Sequence, residues 1–227
     1  MVETYKRTSN PMMNRPVVKP ELVEWMRESQ TQLSGEITNV LEFAQTNNIP
    51  VIPHETVLYF QMLLSLMRPQ RILEIGTAIG FSALMMSESA PNAEIVTIDR
   101  NPEMIALAKE NLKQYDHRKQ IILKEGDAAE VLTELTGTFD IIFMDSAKSK
   151  YVEFLPRALE LLSDNGVILM DDIFQAGEIL VPIMEIKRSQ RALERGLRRL
   201  FDEVFNNPKY MTSVLPLGDG LLMIKKA

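Results

Sequence analysis

An α/β fold with a mostly parallel sheet is what this 227-residue sequence predicts, and three features predict it. After Pro69, short β-rich runs alternate with helical stretches of roughly ten residues, the signature of βαβ units. The end of the chain breaks that alternation: "YMTSVLPL", Gly218-Asp219-Gly220 and "LLMIKK" read as two antiparallel strands joined by a tight turn. Before Pro69 the chain reads as helix in pieces. An apolar share of 45% is ample for the core of one large domain.

Residues 1–20 hold Pro11, Pro16 and Pro20, show little apolar periodicity, and set Lys6, Arg7, Arg15 and Lys19 against a single acid, Glu3. They predict a loosely ordered arm, or one that touches a partner subunit or an anion. A single domain then runs over residues 21–227. Helical periodicity marks "ELVEWMRESQ", "EITNVLEFAQ" and "HETVLYFQMLLSLM", with "NNIP" and Pro53 as interruptions. The strands "RILEI", "EIVTID", "QIILKEG", "FDIIFMD" and "GVILMDD" follow, separated by the helices "FSALMMSES", "PEMIALAKENLKQY", "AAEVLTEL" and "VEFLPRALELL".

Composition narrows the function. With no cysteine, neither a disulfide framework nor a thiolate metal site is possible. The N-terminus has no apolar signal core, and no run reaches the roughly 18 apolar residues of a membrane span, so a soluble cytoplasmic protein is expected. A formal net charge of -6 argues against a globally basic nucleic-acid binder and leaves room for a local basic patch.

The stretch "RILEIGTAIGFSALMM" carries the first functional signal. Gly76 follows a strand directly and Gly80 opens the next helix, an arrangement that lets a ligand approach free backbone N–H groups. A dinucleotide fingerprint needs G-x-G-x-x-G, but Ala78 stands at its middle glycine, which disfavours an NAD-linked oxidoreductase. Asp99 ends the second strand, where a carboxylate can accept both ribose hydroxyls. Gly126-Asp127-Ala128 ends the third, beside the place for an adenine. Glu74, Asp99 and Asp127 on successive strand ends point to a nucleoside without a pyrophosphate, hence to S-adenosylmethionine. Glu74 then orients the glycine loop or the methionine ammonium, and Ser82 offers a hydroxyl at the helix start.

Taken with "FDIIFMDSAK", "GVILMDD" and "NNPKY…PLGDGLLMIKK", the motif "ILEIGTAIGFSA" resembles the class I, metal-dependent O-methyltransferases of the catechol and caffeoyl-CoA type. Within that group it is most similar to the bacterial tRNA 5-hydroxyuridine methyltransferases. The resemblance implies a Rossmann-like methyltransferase fold with a seven-stranded sheet, and a homodimer contacting through N-terminal segments, for which Leu22, Trp25 and Met26 are available. It implies a cofactor site of Ile52, Glu74, Gly76, Ser82, Asp99, Asp127, Ala128 and Asp145.

Asp145 and the pair Asp171-Asp172 follow the fourth and fifth strands, where ligands of such sheets collect. An all-oxygen set suits a hard cation such as Mg²⁺; the only histidines, His54 and His117, have no zinc-type spacing. The family usually carries Asp-Asn where this chain has Asp171-Asp172, so the role of Asp172 is the less defined. Lys148 is placed to accept a proton or to favour an oxyanion, and with Asp145 it forms the expected catalytic pair.

Between Lys187 and Arg199 lie six basic residues and one acid, Glu194. On a continuous helix Arg188, Arg191, Arg195 and Arg199 share one stripe, opposite Leu193, Leu197, Leu200, Phe201 and Val204. A solubilising face normally mixes signs; this imbalance suits phosphate contacts. The resemblance implies methylation of 5-hydroxyuridine at the tRNA wobble position to 5-methoxyuridine, with tRNA as partner, and the basic stripe points the same way. A small catechol-like phenol is the alternative acceptor, and a non-catalytic nucleoside- or RNA-binding protein the reading from another class.

Overall fold

The alternation in the sequence becomes one sheet. In the computed structural model, which describes residues 19–227, seven strands pair in the order β3-β2-β1-β4-β5-β7-β6. They are β1 (Arg71–Ile75), β2 (Glu94–Asp99), β3 (Ile121–Glu125), β4 (Phe139–Met144), β5 (Leu162–Met170), β6 (Tyr210–Leu215) and β7 (Leu221–Lys226). The first five are parallel, and β7 runs antiparallel to both β5 and β6. This is the Rossmann-like sheet with a terminal hairpin that the sequence predicts.

Both faces of the sheet are covered, which is why its strands read as continuous apolar runs. The period of two assigns each side chain to a face. Ile72, Ile95, Ile141 and Phe143 pack under α2 (Ile37–Thr46), α3 (His54–Met67) and α4 (Phe81–Ser89), with α5 (Pro102–Tyr115) alongside. Leu73, Ile75, Ile142 and Met144 face the opposite core, beneath α6 (Ala128–Glu134), α7 (Tyr151–Leu161) and α8 (Arg191–Val204).

Both cores belong to a compact unit spanning Leu33–Ala227. Met1–Gln32 forms a separate unit, whose described part contains α1 (Pro20–Ser29). The helix α1 buries none of its residues. The predicted arm lies outside the described residues but for Lys19 and Pro20, where α1 begins. Among the described residues no helix is long and apolar enough to cross a membrane.

From β1 the chain steps outward through β2 and β3, then returns beside β1 as β4 and proceeds the other way. That reversal opens a crevice beyond the carboxyl ends of β1 and β4. Gly76 keeps the two strand ends together: a Cβ there would lie 2.0 Å from the carbonyl oxygen of Asp145. Only glycine fits that approach, and its φ of +112° is one that glycine adopts freely.

Candidate functional site

The crevice holds a cavity of about 330 Å³. Of the cofactor residues expected from the sequence, Ile52, Gly76, Ser82, Asp99, Asp127, Ala128 and Asp145 line it. Glu74 does not, since its side chain is fully buried within the sheet.

Glu74 is opposite Thr97 in the β1–β2 register, and the Thr97 hydroxyl donates to Glu74 Oε2 at 2.5 Å. Thr97 in turn shares a 2.6 Å hydrogen bond with the hydroxyl of Thr77, which reaches the cavity. Burial pushes the Glu74 carboxyl up to about 8, although the Ser82 and Thr97 hydroxyls pull it down; Asp145 and Asp99 push it further up. Glu74 Oε1 is buried without a hydrogen-bond partner, as is Ser146 Oγ. Sequence reasoning missed the two threonines. A polar residue in the apolar run "EIVTID" was the available signal.

Asp99 does more than the sequence predicts. Its Oδ2 accepts from the Ala78 N–H and its Oδ1 from the Asn101 N–H, both at 2.8 Å. The carboxylate therefore holds the glycine loop, in which Ala78 has φ +44°, while each oxygen retains a second lone pair for a ligand hydroxyl. Asp127 caps α6 by accepting from the Ala129 N–H, and its other oxygen pairs with Arg100 at 2.9 Å. That backbone bond, with the Arg100 hydrogen bond and charge adding to it, holds the Asp127 carboxyl below its ordinary value against the opposing effect of burial.

On the far side of Asp145 lies a charged cluster. Lys148 Nζ stands 2.8 Å from Asp145 Oδ1 and 3.0 Å from Asp172 Oδ2. Burial works to lower the Lys148 pKa, but the two carboxylates outweigh it and the net shift is upward. The group is held as an ammonium, suited to steadying an oxyanion and not to taking a proton. Asp171 is buried, and its Oδ1 accepts from the Asp172 N–H at 2.9 Å. Burial, with Asp145 and Asp172 adding to it, pushes its carboxyl up to about 7.

Among the described residues no three acidic or histidine side chains are arranged to hold a metal ion, and the Lys148 ammonium pairs with both Asp145 and Asp172. The donor set still fits a hard cation in kind: three carboxylates interact here with a single ammonium, leaving surplus negative charge on oxygen donors.

The sequence profile of the O-methyltransferase family matches residues 29–227. The chain belongs to that family. The O-methyltransferase ankF of Aspergillus thermomutatus is 36% identical over 70% of this chain and 71% of its own length. The catechol O-methyltransferase of Niastella koreensis is 31% identical over 63% and 66% respectively. Among solved structures, the SAH-bound methyltransferase PaMTH1 of Podospora anserina superposes with a TM-score of 0.82 at 27% identity, covering 91% of this chain and 94% of that one.

In this O-methyltransferase Arg191, Arg195 and Arg199 of the predicted stripe lie on α8 at a spacing of four, and Arg188 does not. The helix α8 begins only at Arg191, so Arg188 lies in the preceding turns and the angular spacing no longer applies to it. The half-buried Arg191 donates to the carbonyls of Ile186 and Met184 at 2.9 and 2.7 Å, which ties its guanidinium to the protein's own backbone. Arg198, outside the stripe, does the same for Val181 at 2.5 Å. Lys187, Arg188, Arg195 and Arg199 remain exposed.

Proposed function

We propose that this O-methyltransferase uses S-adenosylmethionine to methylate one hydroxyl of a planar, catechol-like ring that carries a second oxygen beside it. One observation carries the reading. Asp145 lines the nucleoside-sized cavity and also anchors Lys148 beside Asp171 and Asp172, so the donor site and a charged acceptor site share a wall.

The chain's own groups divide the work. Gly76 admits the donor close to the backbone, the orphaned Ser146 hydroxyl oxygen offers it a polar partner, and Asp99 accepts from ribose hydroxyls while fixing the loop. A sulfonium methyl is already activated, so the protein has chiefly to hold the acceptor oxygen in line with it. Lys148 stabilises that oxygen as an anion. Asp145, Asp171 and Asp172 would hold Mg²⁺ or a similar cation, which when bound lowers the pKa of a hydroxyl it touches.

A second acceptor is favoured by the exposed Lys187, Arg188, Arg195 and Arg199, which suit phosphates. This is 5-hydroxyuridine at the tRNA wobble position, converted to 5-methoxyuridine; its 5-hydroxyl and O4 are neighbouring oxygens like those of a catechol. Methyl transfer from labelled donor to a catechol and to tRNA carrying 5-hydroxyuridine, with and without EDTA, separates the possibilities. Turnover of either acceptor that EDTA abolishes and Mg²⁺ restores supports the mechanism; full activity in chelator refutes the metal. If tRNA is methylated, replacing Arg195 and Arg199 by alanine should flatten its salt dependence by about one unit of slope per lost contact. Catechol turned over efficiently and tRNA ignored would end the RNA reading.

A further inference from the structure

Asp219 sits in the hairpin turn Gly218-Asp219-Gly220, yet its carboxylate does not serve the hairpin. Both of its oxygens accept from the Ala176 N–H, at 2.9 and 3.0 Å. Its main-chain carbonyl accepts from the Phe174 N–H at 2.8 Å, and that of Gly220 accepts from the Ile173 N–H at 3.1 Å. Gly220 lies so close that a Cβ there would be 2.6 Å from the Phe174 ring. The turn is thus docked, by three backbone N–H groups and one aromatic ring, onto the segment that leaves β5.

That segment is strained. Asp172, Gln175 and Ala176 have φ of +55°, +49° and +51°, and Gly177 follows at +90°. Non-glycine residues persist there only when their surroundings over-determine them. The strain reaches the charged cluster directly: Gln175 Nε2 donates to the main-chain carbonyl of Asp172 at 2.5 Å, and Asp172 carries the carboxylate 3.0 Å from Lys148.

We infer that Asp219 is a positioning residue, whose carboxylate pins Ala176 and so fixes the Asp171–Asp172 corner against Lys148. The inference rests on the acceptor site proposed above. It accounts for an acid between Gly218 and Gly220, the two residues of this turn whose φ is positive. The carboxylate works as a hydrogen-bond acceptor. Asparagine keeps one acceptor oxygen for the Ala176 N–H, and alanine keeps none.

The test compares Asp219→Ala, Asp219→Asn and the parent in the full chain. Amide hydrogen exchange is followed over residues 172–177, alongside donor affinity and steady-state turnover of whichever acceptor the parent methylates. Asp219→Ala should lose protection across that segment and lower kcat by about tenfold to a hundredfold, the scale of a misplacement near 1 Å. Donor affinity should be unchanged. Asp219→Asn should regain most of the protection and stay within about threefold of parental turnover, as for a retained neutral hydrogen bond. Parental protection in Asp219→Ala would overturn the tether, and lost protection with parental turnover would overturn the positioning role. Equal impairment of both variants would also overturn it, because charge and not the hydrogen bond would then be responsible. A parent inactive on every acceptor, with exchange changing as described, would count against the functional reading alone.

Discussion

Glu74 is a carboxyl that the fold keeps away from water. Its pKa lies at about 8 in the folded chain against 4.5 ordinarily, so the folded state binds the proton more tightly than the unfolded one. The stability it supports is fully present below pH 4.5, declines as pH rises, and is lost through about pH 8. Glu74→Gln keeps the shape and removes the titration. Without ligand, the variant should match the parent near pH 5 and exceed its stability increasingly above that, with a difference approaching about 1.4 kcal/mol per pH unit. Urea unfolding at several pH values measures this directly. Parallel stability curves for the two proteins would show that Glu74 does not titrate across that range.

At the scale of elements, α8 controls where Lys148 sits. Gly196 faces the short 3-10 turn Lys148–Lys150 so closely that a Cβ would lie 2.6 Å from the Ser149 carbonyl oxygen and 2.7 Å from its Cα. These are backbone atoms, so the turn itself must move. Gly196→Ala should cost about 1–3 kcal/mol in stability through overpacking and should lower turnover without weakening the methyl donor. If it acts through Lys148, its effect on turnover should vanish in a Lys148→Met background, whereas an additive loss would assign it a purely structural role. Nothing in the sequence marked this glycine, since its cause is a contact with residues 47 positions away, whereas Gly76 announced itself by following a strand. The same contrast separates what was legible from what was not. Strand ends carry Asp99, Asp127 and Asp145 into one crevice by topology alone, and the alternation of runs reveals that topology. The fate of Arg191 and the use of Asp219 depend on which carbonyl or amide a side chain meets across the fold, and no local pattern encodes that. The arginine spacing misled because it presumed a helix already running at Arg188.

At the scale of the whole molecule, the chain divides into two units, Met1–Gln32 and Leu33–Ala227. Leu33–Ala227 contains both cores and the sheet, and so has what it needs to fold by itself. The helix α1 has ten residues, buries none of them, and exposes Trp25 at 62% and Leu22 at 44%. An isolated helix shorter than about 12–15 residues is marginal in water, so α1 needs an apolar surface to persist. A second copy of the chain is the source we propose, in keeping with the homodimer expected from the sequence. Removing residues 1–32 should then leave a chain that melts cooperatively within about 3 °C of the parent, the shift expected for about 1 kcal/mol in a domain of this size. Light scattering at micromolar concentration should give a dimer for the full chain and a monomer for the truncated one. A monomeric full chain would exclude the homodimer. An equally stable truncated dimer would move the contact away from α1 and onto the sheet unit, where Leu180, Leu66, Met184, Met211 and Met62 are the most exposed large apolar side chains to test next.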